Sequence, residues 1–124
     1  MKRFSRAIVA TIDRSKILGV RADAAAGHRF TGIWPIVIGG RVFGRSWTRS
    51  PGGWFNTLLE DPRGTLQVGA RELRVRAVHV RSARILDAIE RAYAAKYPTP
   101  GSAKYVRGFR TARRRASSME FRPR

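Results

Sequence analysis

FTGIWPIVI at residues 30–38, followed by Gly39-Gly40 and then RVFGRSW at 41–47, is the passage on which the fold turns. Both runs are rich in β-branched and aromatic residues, and the paired glycines between them supply the positive φ angles of a tight hairpin. A β-hairpin is therefore predicted. Ile33, Trp34, Ile36, Val37 and Ile38 leave the first run apolar on both faces, which suits the middle of a sheet or barrel. Pro35 works against this, because it has no N–H to give to a ladder. A local break in pairing is expected there.

Upstream, the partial alternation at residues 16–21 predicts a first strand, followed by a small, polar loop at 22–29. Phe4, Ala7, Ile8 and Ile12 have helical spacing, so residues 1–15 are expected to form an N-terminal helical extension with its helix over 4–12. Downstream, Ser50-Pro51 has the form of an N-cap followed by a first-turn proline, and Trp54, Phe55, Leu58 and Leu59 make one stripe ending near Asp61-Pro62. Residues 65–68 and 72–80 flank Gly69-Ala70, with Leu73, Val75 and Ala77 alternating with Arg74 and Arg76. That pattern predicts a second hairpin with one wet face. Ser82 caps a helix running to about Tyr97, with Ile85, Leu86, Ile89, Tyr93 and Tyr97 on its buried side, and Pro98 stops it. Residues 103–124 form a basic C-terminal segment with helical character at 104–115 and a last short strand at 118–122. Strands and helices do not alternate as βαβ units. The expected class is α+β, mainly antiparallel β with helices.

With 124 residues the chain reads as a single domain over 1–124. No apolar run approaches the roughly 18 residues of a membrane span, and the apolar stretch near the N-terminus is too short for a signal-peptide core, so a cytoplasmic location is expected. The lack of cysteine excludes disulfides and thiolate chemistry. His28 and His79 have no second ligand at metal spacing, which leaves no metal site, and a structural role is expected for each. Asp87 and Glu90 are read as an exposed helix face and not as an acid–base pair.

The charge is the most unusual bulk property: 26 Lys and Arg against 8 Asp and Glu give +18. Such a field attracts nucleic acid, phosphorylated cofactors or other polyanions. The 22 Arg against 4 Lys, with abundant Ala and Gly, also match the composition of a GC-rich genome. Arg107, Arg110, Arg113, Arg114 and Arg115, with Tyr105 and Phe109 between them, are either a solvated surface or a polyanion site. The loop RSWTRSPGG at 45–53 has a chemistry of its own: two guanidiniums, three hydroxyls and two glycines in one short connection. Arg45, Ser46, Trp47, Thr48, Arg49 and Ser50 are thus the candidate ligands for an anionic phosphate group. Trp34, Trp47 and Trp54 could stack on a flat ring or serve as core or interface residues.

ILGVRAD, TGIWPIVIGGRVFGRSW, GGWFNTLL, GARELRVRAVHV, AIERAYAAKY and MEFRPR, in that order, resemble an uncharacterised bacterial family known only as a domain of unknown function. The resemblance covers roughly residues 12–124. That family is similar to the pyridoxamine-phosphate-oxidase-like, flavin-binding split barrels, and more so to their deazaflavin-dependent nitroreductase branch. The likeness implies a six-stranded antiparallel split β-barrel, a homodimer, and FMN or a deazaflavin coenzyme at the dimer interface, with its phosphate held by Arg45 to Ser50. Many flavin-binding members carry a phosphate-binding lysine eight residues before the proline of the Asp-Pro turn. Trp54 stands there in this chain, and the pair Trp54-Phe55 matches the aromatic pair of the deazaflavin branch, which adds Trp54 to the candidate cofactor residues. A homodimer is also expected because one small core has little room for Trp34, Trp54, Phe55 and the helix stripes. Three functions stay open. They are cofactor-borne hydride transfer to a small substrate, a cofactor-free ligand-binding or structural dimer, and non-specific nucleic-acid binding.

Overall fold

In the computed structural model, residues 3–24, 29–48 and 51–124 are described. Along the chain run α1 (Arg6–Arg14), β1 (Leu18–Ala22), β2 (Thr31–Ile33), β3 (Ile36–Ile38), β4 (Arg41–Gly44), α2 (Trp54–Glu60), β5 (Arg63–Val68) and β6 (Arg71–His79). They are followed by α3 (Ala83–Lys96), α4 (Pro100–Gly108), α5 (Ala112–Arg115) and β7 (Met119–Pro123). The strands form one antiparallel sheet in the order β2-β1-β5-β6-β7-β4-β3.

The two outermost strands are the two halves of the 30–38 run. Only Trp34 and Pro35 separate β2 on one edge from β3 on the other, so the sheet has to curl until its edges nearly meet. Pro35 breaks the pairing as its missing N–H dictates. Counted as one run, 31–38 belongs to a six-stranded barrel; the break makes it seven strands. The carbonyls freed at this seam are satisfied from α3. Tyr93 Oη donates to Trp34 O at 2.8 Å, and Lys96 Nζ reaches Pro35 O at 2.8 Å. Tyr97 Oη lies 2.9 Å from Pro35 O and 2.8 Å from Lys16 O, and its one proton can serve either.

The hairpin joining β3 to β4 is the one read from Gly39-Gly40. Ile38 pairs with Arg41, and both glycines adopt positive φ, at 57° and 77°. Strand alternation then sorts the side chains. Val42 joins Val20, Leu66, Val75 and Phe121 inside the barrel, where Trp54, Phe55 and Leu58 of α2 complete the core. Phe43 faces outward into a second core, with Ile36, Ile89, Tyr93, Tyr97, Val106 and Phe109 under α3 and α4. On β6, Val75 and Ala77 are buried while Arg74 and Arg76 are exposed, as the sequence pattern requires.

Several boundaries differ from those read in the sequence. α1 starts later, capped by the Ser5 hydroxyl, which accepts from Ile8 N. α2 begins at Trp54 with Gly53 at its N-cap, so Pro51 lies before the helix; Ser50 is outside the described residues. Gly52 and Gly53 disfavour helix by about 1 kcal/mol each relative to alanine, and burial of Trp54 and Phe55 fixes the starting phase. Leu59, expected on the buried stripe, is exposed. The basic C-terminal region forms two helices, α4 and α5, instead of one. Trp54 and Phe55 are 4 % and 1 % exposed in a single chain, so the crowding argument for a homodimer does not hold.

Candidate functional site

A cleft of about 600 Å³ opens beside the seam. One side is the end of β2 with Trp34; the floor is the exit of β4, Arg45 to Thr48; Gly52, Gly53 and Trp54 lead in from α2; Tyr105 and Phe109 of α4 close the far side. The topology explains the meeting. Gly44 ends β4 where a Cβ would stand 2.9 Å from Ile33 Cδ1, which lets the exiting chain run close to β2.

Arg45 borders the cleft, but its guanidinium points away from it and has no solvent exposure. Nε donates to Ser118 Oγ at 2.7 Å, Nη1 to Phe109 O at 2.9 Å and to Glu90 at 3.4 Å, and Nη2 to Leu86 O at 3.0 Å. Burial lowers its pKa, while Glu90 and Tyr93 act in the opposite direction. Its own N–H donates to Tyr93 Oη at 3.1 Å. Arg45 therefore ties the floor of the cleft to α3 and α4. Ser46 is held in turn, its N–H donating to Ser117 Oγ at 2.9 Å and its hydroxyl to Thr48 O. Glu90, read as exposed, is half-buried because it receives both Arg45 and Arg115, the latter at 2.9 Å; Asp87 stays exposed and pairs with Arg115.

Trp47 is the exposed aromatic of the floor, at 39 %, and Thr48 beside it is exposed as well. It meets Tyr105 at 5.2 Å and Phe109 at 5.4 Å, both edge to face. Trp34 stacks on Tyr97 at 4.5 Å and meets Tyr105 at 5.4 Å. Trp54 packs on Phe55 and Phe121 and shows a small part of itself to the cleft. Of the residues proposed from sequence, Arg45, Ser46, Trp47, Thr48 and Trp54 all border the cleft. Arg49 and Ser50 lie outside the described residues. The sequence reading missed Thr31, Tyr105 and Phe109 as walls. The i, i+4 spacing of Tyr105 and Phe109 was the available signal, since on a helix it places two rings on one side.

Among the described lining residues the only formal charge is that of Arg45, which is turned inward, so the cleft offers aromatic faces and the hydroxyls of Thr31, Ser46 and Thr48. No group of three or more metal-ligating side chains occurs among the described residues. His79 Nε2 sits 2.8 Å from Ala116 O and its ring meets Phe55 at 5.4 Å, away from the cleft lining; His28 is outside the described residues. No described helix is long and apolar enough to cross a membrane.

The curled antiparallel sheet with its helices is the fold of the flavin-binding split barrels. The conserved hypothetical protein Rv2991 from Mycobacterium tuberculosis is similar in structure at 17 % identity, with a TM-score of 0.65 over 98 % of this chain and 83 % of that one. A proposed pyridoxamine 5'-phosphate oxidase from Listeria innocua is similar at 9 % identity, with a TM-score of 0.61 over 95 % of this chain and 90 % of its own. An FAD-binding protein from Mesorhizobium loti is similar at 10 % identity and a TM-score of 0.60, over 97 % and 88 %. Residues 7–121 match the family of uncharacterized proteins conserved in bacteria, DUF2255, and the chain belongs to that family. None of the curated proteins matches it in sequence.

Proposed function

We propose that the cleft binds the planar ring of a flavin or deazaflavin cofactor. The observation that carries this reading is the cleft itself: about 600 Å³ lined by Trp34, Trp47, Trp54, Tyr105 and Phe109, with hydroxyls at its floor. Flat rings are bound by aromatic faces and by a few convergent polar groups, which is the inventory here. The fold shared with an FAD-binding protein supports the reading. Ser46, Thr48, Ser50 and Arg49 are the groups assigned to the phosphate end, and Arg45 serves by fixing the floor from behind. The hydride chemistry then belongs to the cofactor, and the chain supplies binding, orientation and shelter from water. A homodimer is part of the same proposal.

The test is a spectrum followed by a titration. Bound flavin or deazaflavin absorbs in the visible or near-ultraviolet, and the apo protein should bind FMN or a deazaflavin with quenching of tryptophan fluorescence. Arg49→Ala should weaken binding by about tenfold to a hundredfold, the loss of one charge-assisted hydrogen bond, whereas Arg113→Ala should change it little. A colourless protein that binds neither cofactor would overturn the proposal in favour of a cofactor-free barrel.

A further inference from the structure

Arg114 and Gly108 do not line the cleft, yet both hold Trp47. The Arg114 guanidinium lies over the indole, its carbon 3.7 Å from the ring centroid. The same group donates through Nε to the Trp47 carbonyl at 2.9 Å and through Nη1 to Gly108 O at 3.4 Å. One planar cation thus engages both the ring and the backbone of a single residue. Lysine, a point charge on a flexible stem, cannot reproduce that combination. Gly108 makes the room. A Cβ there would stand 2.5 Å from Trp47 Cη2 and 2.7 Å from Cζ3, closer than real contacts allow. Tyr105 and Phe109 meet the indole edge to face. The ring is therefore fixed by contacts on several sides, and what remains of the residue, 39 % exposed, borders the cleft.

We infer that Arg114 and Gly108 are positioning residues that set the orientation of the Trp47 indole, and through it the width of the slot offered to a planar heteroaromatic ring. The ligand part of this inference rests on the proposed cofactor reading; the positioning part does not. It also gives Arg114 a task within the fold. The basic run at 107–115 contains one arginine clamped on Trp47 and another, Arg115, paired with Asp87 and Glu90.

Two variants attack the indole from different sides. Gly108→Ala places a methyl group where the ring lies; Arg114→Ala removes its cover. Arg114→Lys keeps the charge without the planar stack, and Arg110→Ala removes an equal charge from an exposed neighbouring position. Acrylamide quenching is the first readout, because Trp47 is the exposed indole while Trp34 is half-buried and Trp54 is buried. The quenching constant should rise clearly in Gly108→Ala and Arg114→Ala, rise partly in Arg114→Lys, and stay at the wild-type value in Arg110→Ala. FMN titration is the second readout: affinity should fall about tenfold in the first two variants and stay within about twofold in Arg110→Ala.

Unchanged quenching in Arg114→Ala, with far-UV dichroism showing the protein folded, would overturn the positioning role whatever the titration gives. Changed quenching with unchanged FMN affinity would overturn the slot-width part. If the wild type binds neither FMN nor a deazaflavin, the cofactor reading fails by itself and quenching alone decides the role of Arg114. Should Gly108→Ala not fold, the two Arg114 variants decide it.

Discussion

Arg45 and Arg76 carry the same guanidinium into opposite surroundings. Arg45 is buried between the exit of β4 and the helices, and its donors end on Ser118, Phe109, Leu86 and Glu90. Arg76 stands on the outward face of the barrel, directly opposite Arg63 on β5 and Arg122 on β7. Cross-strand neighbours of like charge repel, and acidic side chains offset the repulsion only in part. Glu120 takes Arg41 through two hydrogen bonds, at 3.0 and 2.9 Å, and Arg122 at 3.0 Å. Burial pushes the Glu120 carboxyl up, but these arginines prevail and hold it below the usual carboxylate range. Asp61 takes Arg63, Glu72 takes Arg21, and Asp23 takes Arg124, whereas Arg74 and Arg76 have no ion pair among the described residues. The charge of +18 is thus not one property. Part of it is internal scaffolding for the cleft, and part is a lattice of solvated, mutually repelling groups.

The largest expected effect comes from breaking the buried side of this contrast. Arg45→Met fills similar space but takes the guanidinium donor from the buried Phe109 carbonyl and Ser118 Oγ, and unsatisfied buried polar groups cost about 1–3 kcal/mol each. Urea unfolding should show a loss of about 2–4 kcal/mol at an unchanged m-value. A loss below about 1 kcal/mol would mean that Arg45 does not hold the cleft floor to the helices.

Changing the surface side should have the opposite sign and a smaller size. Arg76→Thr relieves the row of three arginines and is expected to stabilise the fold by about 0.2–1 kcal/mol at low ionic strength. The salt-dependent part of that gain identifies its origin. It should disappear near 1 M salt, where the screening length falls to about 3 Å; a gain that persists would come from strand propensity instead.

The smallest effect concerns Asp61, whose ion pair with Arg63 lies at the surface. Hydrogen bonds from the Arg63 side chain and backbone hold its pKa at about 2, below the ordinary 3.8. The carboxylate is favoured in the folded state, so its contribution is complete above pH 3.8 and is lost as the pH falls through about 2. Asp61→Asn should therefore match the wild type below about pH 2, be slightly the less stable of the two above pH 3.8, and show a flatter acid limb between. Parallel acid limbs for variant and wild type would show that the pair is dispersed by solvent.

Local patterns read correctly wherever neighbours in sequence decide the outcome. Gly39-Gly40 turns β3 into β4 because only glycine tolerates two successive positive φ angles cheaply, and Ser82 starts α3 because its hydroxyl accepts from Ile85 N. The alternation on β6 separates Arg74 and Arg76 from Val75 and Ala77 because strand side chains have a period of two. The strand exit at 45–48 was also legible as a border of the cleft, since an arginine and two hydroxyls crowd it and two glycines follow at 52 and 53. The role of Arg45 within it was not, because nothing local distinguishes an arginine that reaches solvent from one that reaches the carbonyls of Leu86 and Phe109.

Everything that joins distant segments had to wait for the tertiary structure. Composition and period determined antiparallel, Arg-rich strands with a break in pairing at Pro35, and the split barrel followed from the family resemblance. Only the folded chain decided that the two halves of that run lie on opposite edges of the sheet. Likewise, only folding brought Arg114 over Trp47, Glu90 to Arg45, and Tyr105 and Phe109 to the far wall of the cleft. The physical reason is one of range. Backbone propensity and side-chain period act over a few residues, whereas these contacts depend on which buried surfaces pack together once the sheet has curled, and that is settled by the whole core at once.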